Sequence, residues 1–173
     1  MNYKRLFIPS SYVFLTVVTN NRRKILIQNI EILRDALKNA KKYFNFEALA
    51  IVVLPDHFHL LVKPKSIKDY PKIITSIKYY FSRNINVVGL ESPTYDRSKG
   101  IWQRRYNEHK IRDENDLHKH LDYIHYNPVK HEQVTCVKDW KHSSFEKFVK
   151  KGNYDMSWGS VSDVENIKDL DYE

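Results

Sequence analysis

The first part of the chain changes from a strand-like to a helix-like pattern of hydrophobic residues. Residues 12–19, YVFLTVVT, are rich in β-branched and aromatic side chains and predict a strand. In the segment that follows, apolar side chains recur at steps of three and four residues, as on one face of a helix. These side chains are Ile30, Leu33, Leu37, Ala40 and Phe44. Asn29 is a residue type that favours the N-cap, so we predict that the helix begins there.

The middle of the chain predicts a hairpin and then a second helix. Residues 47–54 and 57–63 are two short apolar runs, and the Pro55–Asp56 pair between them is typical of a turn. Residues 69–84 carry a helical apolar face, with a proline in the first turn, where proline is tolerated. Residues 89–100 contain the glycine, proline and serine residues that are typical of a loop.

The last part of the chain predicts one more strand and further helices. Residues 101–111 favour a strand. We expect Asp113 to cap the next helix and Pro128 to end it, and residues 139–151 favour a last helix. The order β-α-β-β-α-β predicts an α+β, ferredoxin-like (split βαβ) antiparallel sheet with helices on one face and an additional C-terminal helical segment. The other face of the sheet must then be covered by another part of the chain or used for a function.

Composition narrows the class of protein that this sequence can encode. The 173 residues suit a single domain, and the one cysteine excludes an internal disulfide. The longest apolar run, residues 48–54, is too short to span a membrane, and the first residues lack a signal-peptide pattern. We therefore expect a cytoplasmic protein.

The charge is distributed unevenly along the chain. The net charge is +8, but residues 153–173 hold six acidic residues and one lysine, which leaves +13 on residues 1–152. A basic body predicts a polyanionic partner, with nucleic acid first and a membrane surface second. A basic surface can also serve solubility alone.

Two histidines at the start of the third predicted strand are candidate metal ligands. Side chains alternate along a strand, so His57 and His59 lie on one face while Phe58 lies on the other, towards the core. Two imidazoles at this spacing can hold one metal ion, but a metal site needs at least a third ligand. Alone, such a pair is also compatible with a surface or a satisfied core position.

The helix before Pro128 can supply further chemistry. Tyr123 and Asn127 are four residues apart and lie on one helical face. An asparagine offers a carbonyl oxygen to a hard cation, and a tyrosine can act as a covalent nucleophile. The alternative is structural: a half-buried tyrosine, and an asparagine that caps the end of the helix.

Four separate stretches resemble, in order and spacing, the REP-associated tyrosine transposases, which belong to the single-tyrosine branch of the HUH (His-hydrophobic-His) nucleases. They read VVLPDHFHLLV, IWQRRYNEHKIRDENDL, YIHYNPVKH and WKHSSFEKFVKKGNYDMSWG. The resemblance implies a transposase and nuclease domain at residues 1–152, followed by an acidic tail at residues 153–173 that is similar to the family only as far as residue 159. The family usually has glycine where this chain has Glu132, which bears on the local backbone geometry.

The resemblance also implies a reaction. His57, His59 and Asn127 would hold a divalent metal, Mg²⁺ or Mn²⁺, and Tyr123 would attack single-stranded DNA to give a 5′-phosphotyrosine. Because imidazole suits later transition metals and Mg²⁺ prefers oxygen, the mixed ligand set favours Mn²⁺. The substrate would be a hairpin with a single-stranded flank, and the enzyme would act at the nucleoid. Its oligomeric state stays open between a monomer and a homodimer.

Several aromatic and basic residues are candidate DNA contacts. Interleaved aromatic and basic side chains suit base stacking and phosphate binding, although a strand with one packed face explains the same pattern. The candidates are Trp102, Arg104, Arg105, Tyr106, Arg22, Arg23, Lys130, His131 and Lys141. Two other functions remain open: a non-catalytic DNA-binding protein or regulator on the same fold, and a metal-dependent phosphohydrolase of small substrates. The latter would normally need more carboxylates near the histidines than Asp56.

Overall fold

The structure of the protein is a computed structural model that describes residues 12–86, 98–159 and 167. The strands in these residues are β1 (Val13–Val18), β2 (Phe46–Val53), β3 (His57–Pro64) and β4 (Asn107–Lys110). The helices are α1 (Ile30–Tyr43), α2 (Tyr70–Asn84), α3 (Ser98–Ile101), α4 (Glu114–Lys130) and α5 (Phe145–Lys150). Of the predicted loop at residues 89–100, residues 89–97 lie outside the described residues.

The four strands form one antiparallel sheet in the order β2-β3-β1-β4. The chain passes from β1 through α1 to β2, and β3 then inserts between these two strands. It passes from β3 through α2 to β4, which pairs on the far side of β1. Each half is therefore a split βαβ unit, and the predicted α+β, ferredoxin-like fold is confirmed.

Helices α1 and α2 cover one face of the sheet. Phe58, Leu60 and Val62 of β3 lie in one apolar cluster with residues of both helices, as strand alternation predicts. Each of these side chains is almost completely buried, which stabilises the fold by about 1.5–3 kcal/mol per residue.

The opposite face of the sheet is covered by a third helix, which is one of the two alternatives that the sequence left open. Leu117, Leu121 and Ile124 of α4 share a second apolar cluster with Phe14 and Leu61 of the sheet. These sheet residues would expose apolar surface to water if α4 did not lie over them. Residues of α5 and the segment after it, including Tyr154 and Trp158, extend the same cluster.

Helix α4 continues through Pro128, whereas the sequence predicted that it would end there. The helix runs to Lys130, and the amide of His131 still donates to the Asn127 carbonyl at 3.0 Å. Proline in a helix removes one hydrogen bond but has a helix-compatible φ, so a buried proline near the last turn can be accommodated. The predicted cap at the other end is confirmed, because the Asp113 side chain accepts from the Asp116 amide.

The end of α4 requires an unusual backbone conformation at Glu132. Its φ is 54°, in the left-handed region that favours glycine. The Glu132 amide donates to the Val129 carbonyl and the Gln133 amide to the Pro128 carbonyl. This is the pair of hydrogen bonds that closes a Schellman motif, in which glycine usually occupies the position that Glu132 holds.

Two local predictions are wrong in detail. The strand expected at residues 101–111 is limited to β4, because Ile101 ends α3 and Trp102 makes only an isolated bridge with Thr19. Asn29 stands at the start of α1 but its side chain does not cap the helix. The side-chain amide of Asn29 donates instead to the Ile25 carbonyl at 2.8 Å.

Among the described residues, no helix is both long and apolar enough to cross a membrane.

Candidate active site

The two histidines of β3 lie beside each other beneath α4. In the pairing of β3 with β1, His57 is opposite Val18 and His59 is opposite Thr16. The two imidazole centroids are 5.0 Å apart, with the rings inclined at 77°. Both residues are 0% exposed. Strand alternation brings the pair together, and the packing of α4 buries it.

One nitrogen of His57 is held by a carboxylate. Its Nδ1 lies 2.7 Å from Oδ1 of Asp56, and the Arg22 guanidinium lies 3.2 Å from the other carboxylate oxygen. Burial alone would raise the pKa of Asp56, but the hydrogen bond with His57 and the Arg22 guanidinium bring this pKa below its usual range. Asp56 is therefore ionised, and His57 must donate through Nδ1.

The turn that carries Arg22 is conformationally strained. Asn21 and Arg22 have φ values of 54° and 47°, a region that costs a non-glycine residue about 1–2 kcal/mol. Thr19 connects this turn to the turn between β2 and β3. Its backbone amide donates to the Asp56 carbonyl at 2.8 Å, and its hydroxyl donates to the Arg23 carbonyl. Strain of this kind persists where surrounding contacts fix the backbone, and the turn that is fixed here carries Arg22, which pairs with Asp56.

The second histidine is held by contacts with β1 and α4. Its Nδ1 lies 2.9 Å from the Thr16 hydroxyl oxygen. The ring of His59 stacks on Phe14 at 5.3 Å between centroids, and it meets the ring of Tyr123 edge-on at 5.2 Å. The structure therefore brings the predicted nucleophile against one of the predicted metal ligands.

Tyr123 and Asn127 both face the sheet from α4. Tyr123 is 1% exposed and Asn127 is 0% exposed. Neither side-chain atom of the Asn127 amide, Oδ1 or Nδ2, has a hydrogen-bond partner within the part of the chain that the structure describes. Because an unsatisfied buried polar group costs about 1–3 kcal/mol, this amide is suited to binding something that enters the site. The helix cap is His131, so the alternative that Asn127 caps the helix is wrong.

These side chains fit a divalent cation. In metal sites, the imidazole nitrogen that does not bind the metal usually donates to a carboxylate or another oxygen, which fixes the ring. The Nδ1 atoms of His57 and His59 already have such oxygen neighbours, so Nε2 is the atom of each ring that would bind a metal. The Asn127 carbonyl oxygen could add a third ligand. The resulting set of two nitrogens and one oxygen stays a prediction.

Two half-exposed residues after Pro128 contact the buried site. The ring centroids of His131 and His57 are 5.0 Å apart. The ammonium nitrogen of Lys130 lies 3.3 Å from the Tyr123 hydroxyl oxygen and 4.9 Å from the centroid of the Tyr123 ring. The sequence predicts both residues only as DNA contacts.

A second polar cluster, which the sequence did not predict, joins β4 to α4. His109 Nε2 donates to Asp116 Oδ2 at 2.8 Å, and His120 Nδ1 donates to the Asp116 main-chain oxygen at 2.7 Å. These three side chains could hold a metal ion. However, Asp116 Oδ2 also accepts from the Arg112 guanidinium at 3.2 Å and the Arg112 amide at 3.0 Å. With a cation and several donors already on one carboxylate, the cluster is better explained as a hydrogen-bonded junction.

The charges in this junction support that explanation. Burial alone would raise the pKa of Asp116, but the hydrogen bonds from Arg112 and His109 hold it far below its usual range. Burial lowers the pKa of His120. The Asp116–His120 spacing was visible in the sequence, but the pairing of β4 with β1, which adds His109, was not.

The other predicted DNA contacts differ in their exposure. Trp102 is 2% exposed and its indole nitrogen donates to the Lys78 carbonyl at 3.2 Å, so the stacking role expected for Trp102 is replaced by a core role. Tyr106 and Arg23 are partly buried, and Arg22 is paired with Asp56. The remaining candidates Arg104, Arg105 and Lys141 are exposed.

The chain is similar to known proteins of one family. The model of the family described as "Transposase IS200 like" matches residues 8–127. A REP-associated tyrosine transposase of Haemophilus influenzae is 42% identical over 98% of this chain and 99% of its own length. Another, from Escherichia coli K12, is 38% identical over 93% of both chains.

A solved structure has the same fold. It is that of a REP-associated tyrosine transposase bound to a REP hairpin, and it superposes with a TM-score of 0.79 at 32% identity, covering 99% of this chain and 96% of the other. The chain therefore belongs to the IS200-like transposases and, among them, to the REP-associated tyrosine transposases, a family of enzymes that cleave and rejoin DNA.

Proposed function

We propose that this protein is a metal-dependent, single-stranded DNA endonuclease and strand transferase that cleaves next to hairpin-forming repeats and uses Tyr123 as its nucleophile. The observation that carries the proposal is that the buried rings of Tyr123, His59 and His57 contact one another in sequence between α4 and β3. One helical turn beyond Tyr123 lies the buried Asn127 amide, which has no hydrogen-bond partner among the residues that the structure describes. The relatives named above, one of them bound to a REP hairpin, support the same reading.

The reaction exchanges one phosphodiester bond for another. The Tyr123 oxygen attacks phosphorus, a Tyr–O–P bond forms and the bond from phosphorus to the 3′ oxygen breaks. The phenol proton is lost and the departing 3′ oxygen gains a proton, so the products are a 5′-phosphotyrosine and a free 3′-hydroxyl. Attack by a 3′-hydroxyl on the phosphotyrosine reverses the step and joins strands. No external energy source is needed, because the number of phosphodiester bonds is conserved.

Residues of the chain position the reacting groups. His57, His59 and Asn127 would hold a divalent cation, Mg²⁺ or Mn²⁺, which when bound would polarise a non-bridging phosphate oxygen. Asp56 and Thr16 orient the two imidazoles, and the packing of Phe14 and His59 against Tyr123 fixes its ring. Holding the reacting atoms in line is the main contribution that a protein makes to phosphoryl transfer.

The DNA must gain access to a closed site. Because Tyr123 is 1% exposed, entry of a phosphate requires that neighbouring groups move, and His131 is a half-exposed residue in contact with His57. A single strand can bend into such a site, whereas a duplex holds its backbone stiffly. The exposed residues Arg104, Arg105 and Lys141 are the candidates for binding the hairpin or its flank.

The substrate assignment can be tested with three oligonucleotides of one sequence: a hairpin with a single-stranded flank, the flank alone and a full duplex. We expect cleavage in the flank of the hairpin substrate with Mn²⁺ or Mg²⁺, and little or none in the duplex. Excess chelator should abolish cleavage, as should His57→Ala or His59→Ala. Equal cleavage of duplex and hairpin, or cleavage that survives the chelator, would contradict the proposal. Binding without any cleavage would favour a non-catalytic DNA-binding protein on this fold.

A further inference from the structure

Lys130 makes a two-part contact with the side chain of Tyr123. Its ammonium nitrogen donates to the phenol oxygen at 3.3 Å, and it also lies 4.9 Å from the centre of the aromatic ring. Lys130 is partly buried, whereas Tyr123 is 1% exposed. The Lys130 ammonium group therefore contacts the reacting oxygen of the proposed nucleophile. Its position is not explained by exposure to DNA alone.

The helix geometry explains why Lys130 can reach this oxygen. Residues seven apart in a helix are separated by almost two complete turns, so Lys130, Asn127 and Tyr123 lie in one stripe along α4. Pro128 does not interrupt the stripe, and the helix ends only after Lys130, where Glu132 adopts its left-handed conformation. The last turn of α4 thus carries a cation back over the ring of Tyr123.

The contact of Lys130 with the phenol oxygen can orient Tyr123, which a contact between Lys130 and a DNA phosphate could not do. A lysine that donates to the phenol oxygen fixes one lone pair of that oxygen, so the hydroxyl proton must be directed elsewhere. A cation over the ring and at the oxygen also limits rotation of the side chain. Preorganised charges act most strongly at atoms where charge develops in the transition state, and the phenol oxygen is such an atom in both directions of the reaction.

We propose that Lys130 is a positioning residue for Tyr123, holding its oxygen in line for attack and balancing the negative charge on that oxygen as its bond to phosphorus forms or breaks. This inference rests on the proposed function, in which Tyr123 is the nucleophile. In cleavage the Tyr123 oxygen gains a bond to phosphorus and the 3′ oxygen leaves and is protonated. In rejoining the Tyr123 oxygen leaves and is protonated, and Lys130 keeps its own protons in both directions.

The two roles open to Lys130 predict different kinetic defects. If Lys130 acts on Tyr123, Lys130→Met should slow formation of the covalent adduct by about 100-fold at saturating DNA, the scale seen when one preorganised donor is removed from an active site. Rejoining from the isolated adduct should slow by a similar factor. The Kd for the hairpin substrate should stay within about twofold of the wild-type value at every salt concentration.

The experiment compares three variants under single-turnover conditions with Mn²⁺ and the hairpin oligonucleotide that carries a single-stranded flank. Lys130→Arg keeps a cationic donor and should recover part of the rate. Lys119→Met removes the same charge from an exposed position on α4 and should behave as wild type. Thermal unfolding of each variant identifies any loss of folding that would itself lower the rate.

Two results would overturn the inference. If Lys130→Met keeps the wild-type rate at saturating DNA but weakens binding, with a salt slope reduced by about 0.7, then Lys130 contacts a phosphate of the single strand. If rate and affinity are both unchanged, the contact has no role in the reaction. Neither result contradicts the proposed function. That function is tested separately, and it is wrong if Tyr123→Phe still forms the covalent adduct.

Discussion

Replacing Asp56 should weaken metal binding without removing any metal ligand. Asp56 accepts from Nδ1 of His57 at 2.7 Å, and His57 is 0% exposed. Loss of such a supporting partner typically lowers metal affinity by about 10- to 100-fold, equivalent to about 1.4–2.8 kcal/mol. We expect a loss of this size in the Kd of Mn²⁺ for Asp56→Ala.

The asparagine variant separates geometry from charge. Asp56→Asn keeps an oxygen that can accept from His57 but removes the negative charge. Since a charge-assisted hydrogen bond contributes about 1 kcal/mol more than a neutral one, we expect a loss of only about fivefold in Mn²⁺ affinity. Arg22, which would lose its ionic partner, is about half exposed and adds little to either effect.

Calorimetric titration of Mn²⁺ into the DNA-free protein measures these affinities. Asp35→Ala is the matched control, because Asp35 is an exposed carboxylate on α1 that pairs with Lys38 at 3.0 Å. It should bind Mn²⁺ as the wild type does. Wild-type affinity in Asp56→Ala would mean that Asp56 does not support the ligand or that Mn²⁺ does not bind at His57.

Three further predictions concern backbone strain, pH and DNA binding. Glu132→Gly should raise the free energy of unfolding by about 1 kcal/mol, because it relieves a left-handed φ of 54°; a lower urea midpoint would contradict this. Burial lowers the pKa of His125 to about 3, below the ordinary 6.5, so the unfolded chain binds the extra proton between these values. The free energy of unfolding should therefore fall as the pH drops through this window, and it should fall less steeply in His125→Phe; equal slopes in chemical denaturation would disprove the assignment. Arg104→Ala should weaken hairpin binding and reduce the salt slope by about 0.7, and an unchanged slope would mean that Arg104 contacts no phosphate.

Local patterns in the sequence were sufficient for part of the site. The two-residue period of β3 correctly predicted that His57 and His59 share the face opposite to Phe58, because side-chain alternation is a property of a single strand. The four-residue spacing of Tyr123 and Asn127 was equally local, since one helix determines it. The order of strands and helices was enough to predict the ferredoxin-like sheet.

The parts that the sequence did not predict depend on contacts between distant segments. Thr16 meets His59 only through the register of β1 with β3, which the sequence of neither strand specifies alone. Trp102 sits beside charged residues in the chain but is buried against α2. The sequence predicts that Pro128 ends α4, because a proline generally destabilises the interior of a helix. The sequence does not show that tertiary packing buries Pro128 within α4.

The proposed reaction requires that Tyr123 forms the covalent bond to DNA. Its most direct test is to incubate the protein with Mn²⁺ and the hairpin oligonucleotide with a single-stranded flank, digest the product and locate the modified residue by mass spectrometry. We expect the oligonucleotide on Tyr123. Tyr123→Phe should form no adduct while binding DNA nearly as well as the wild type, and Tyr126→Phe, which alters a buried tyrosine on the same helix, should still form it. An adduct on any other residue, or one that persists in Tyr123→Phe, would mean that Tyr123 is not the nucleophile.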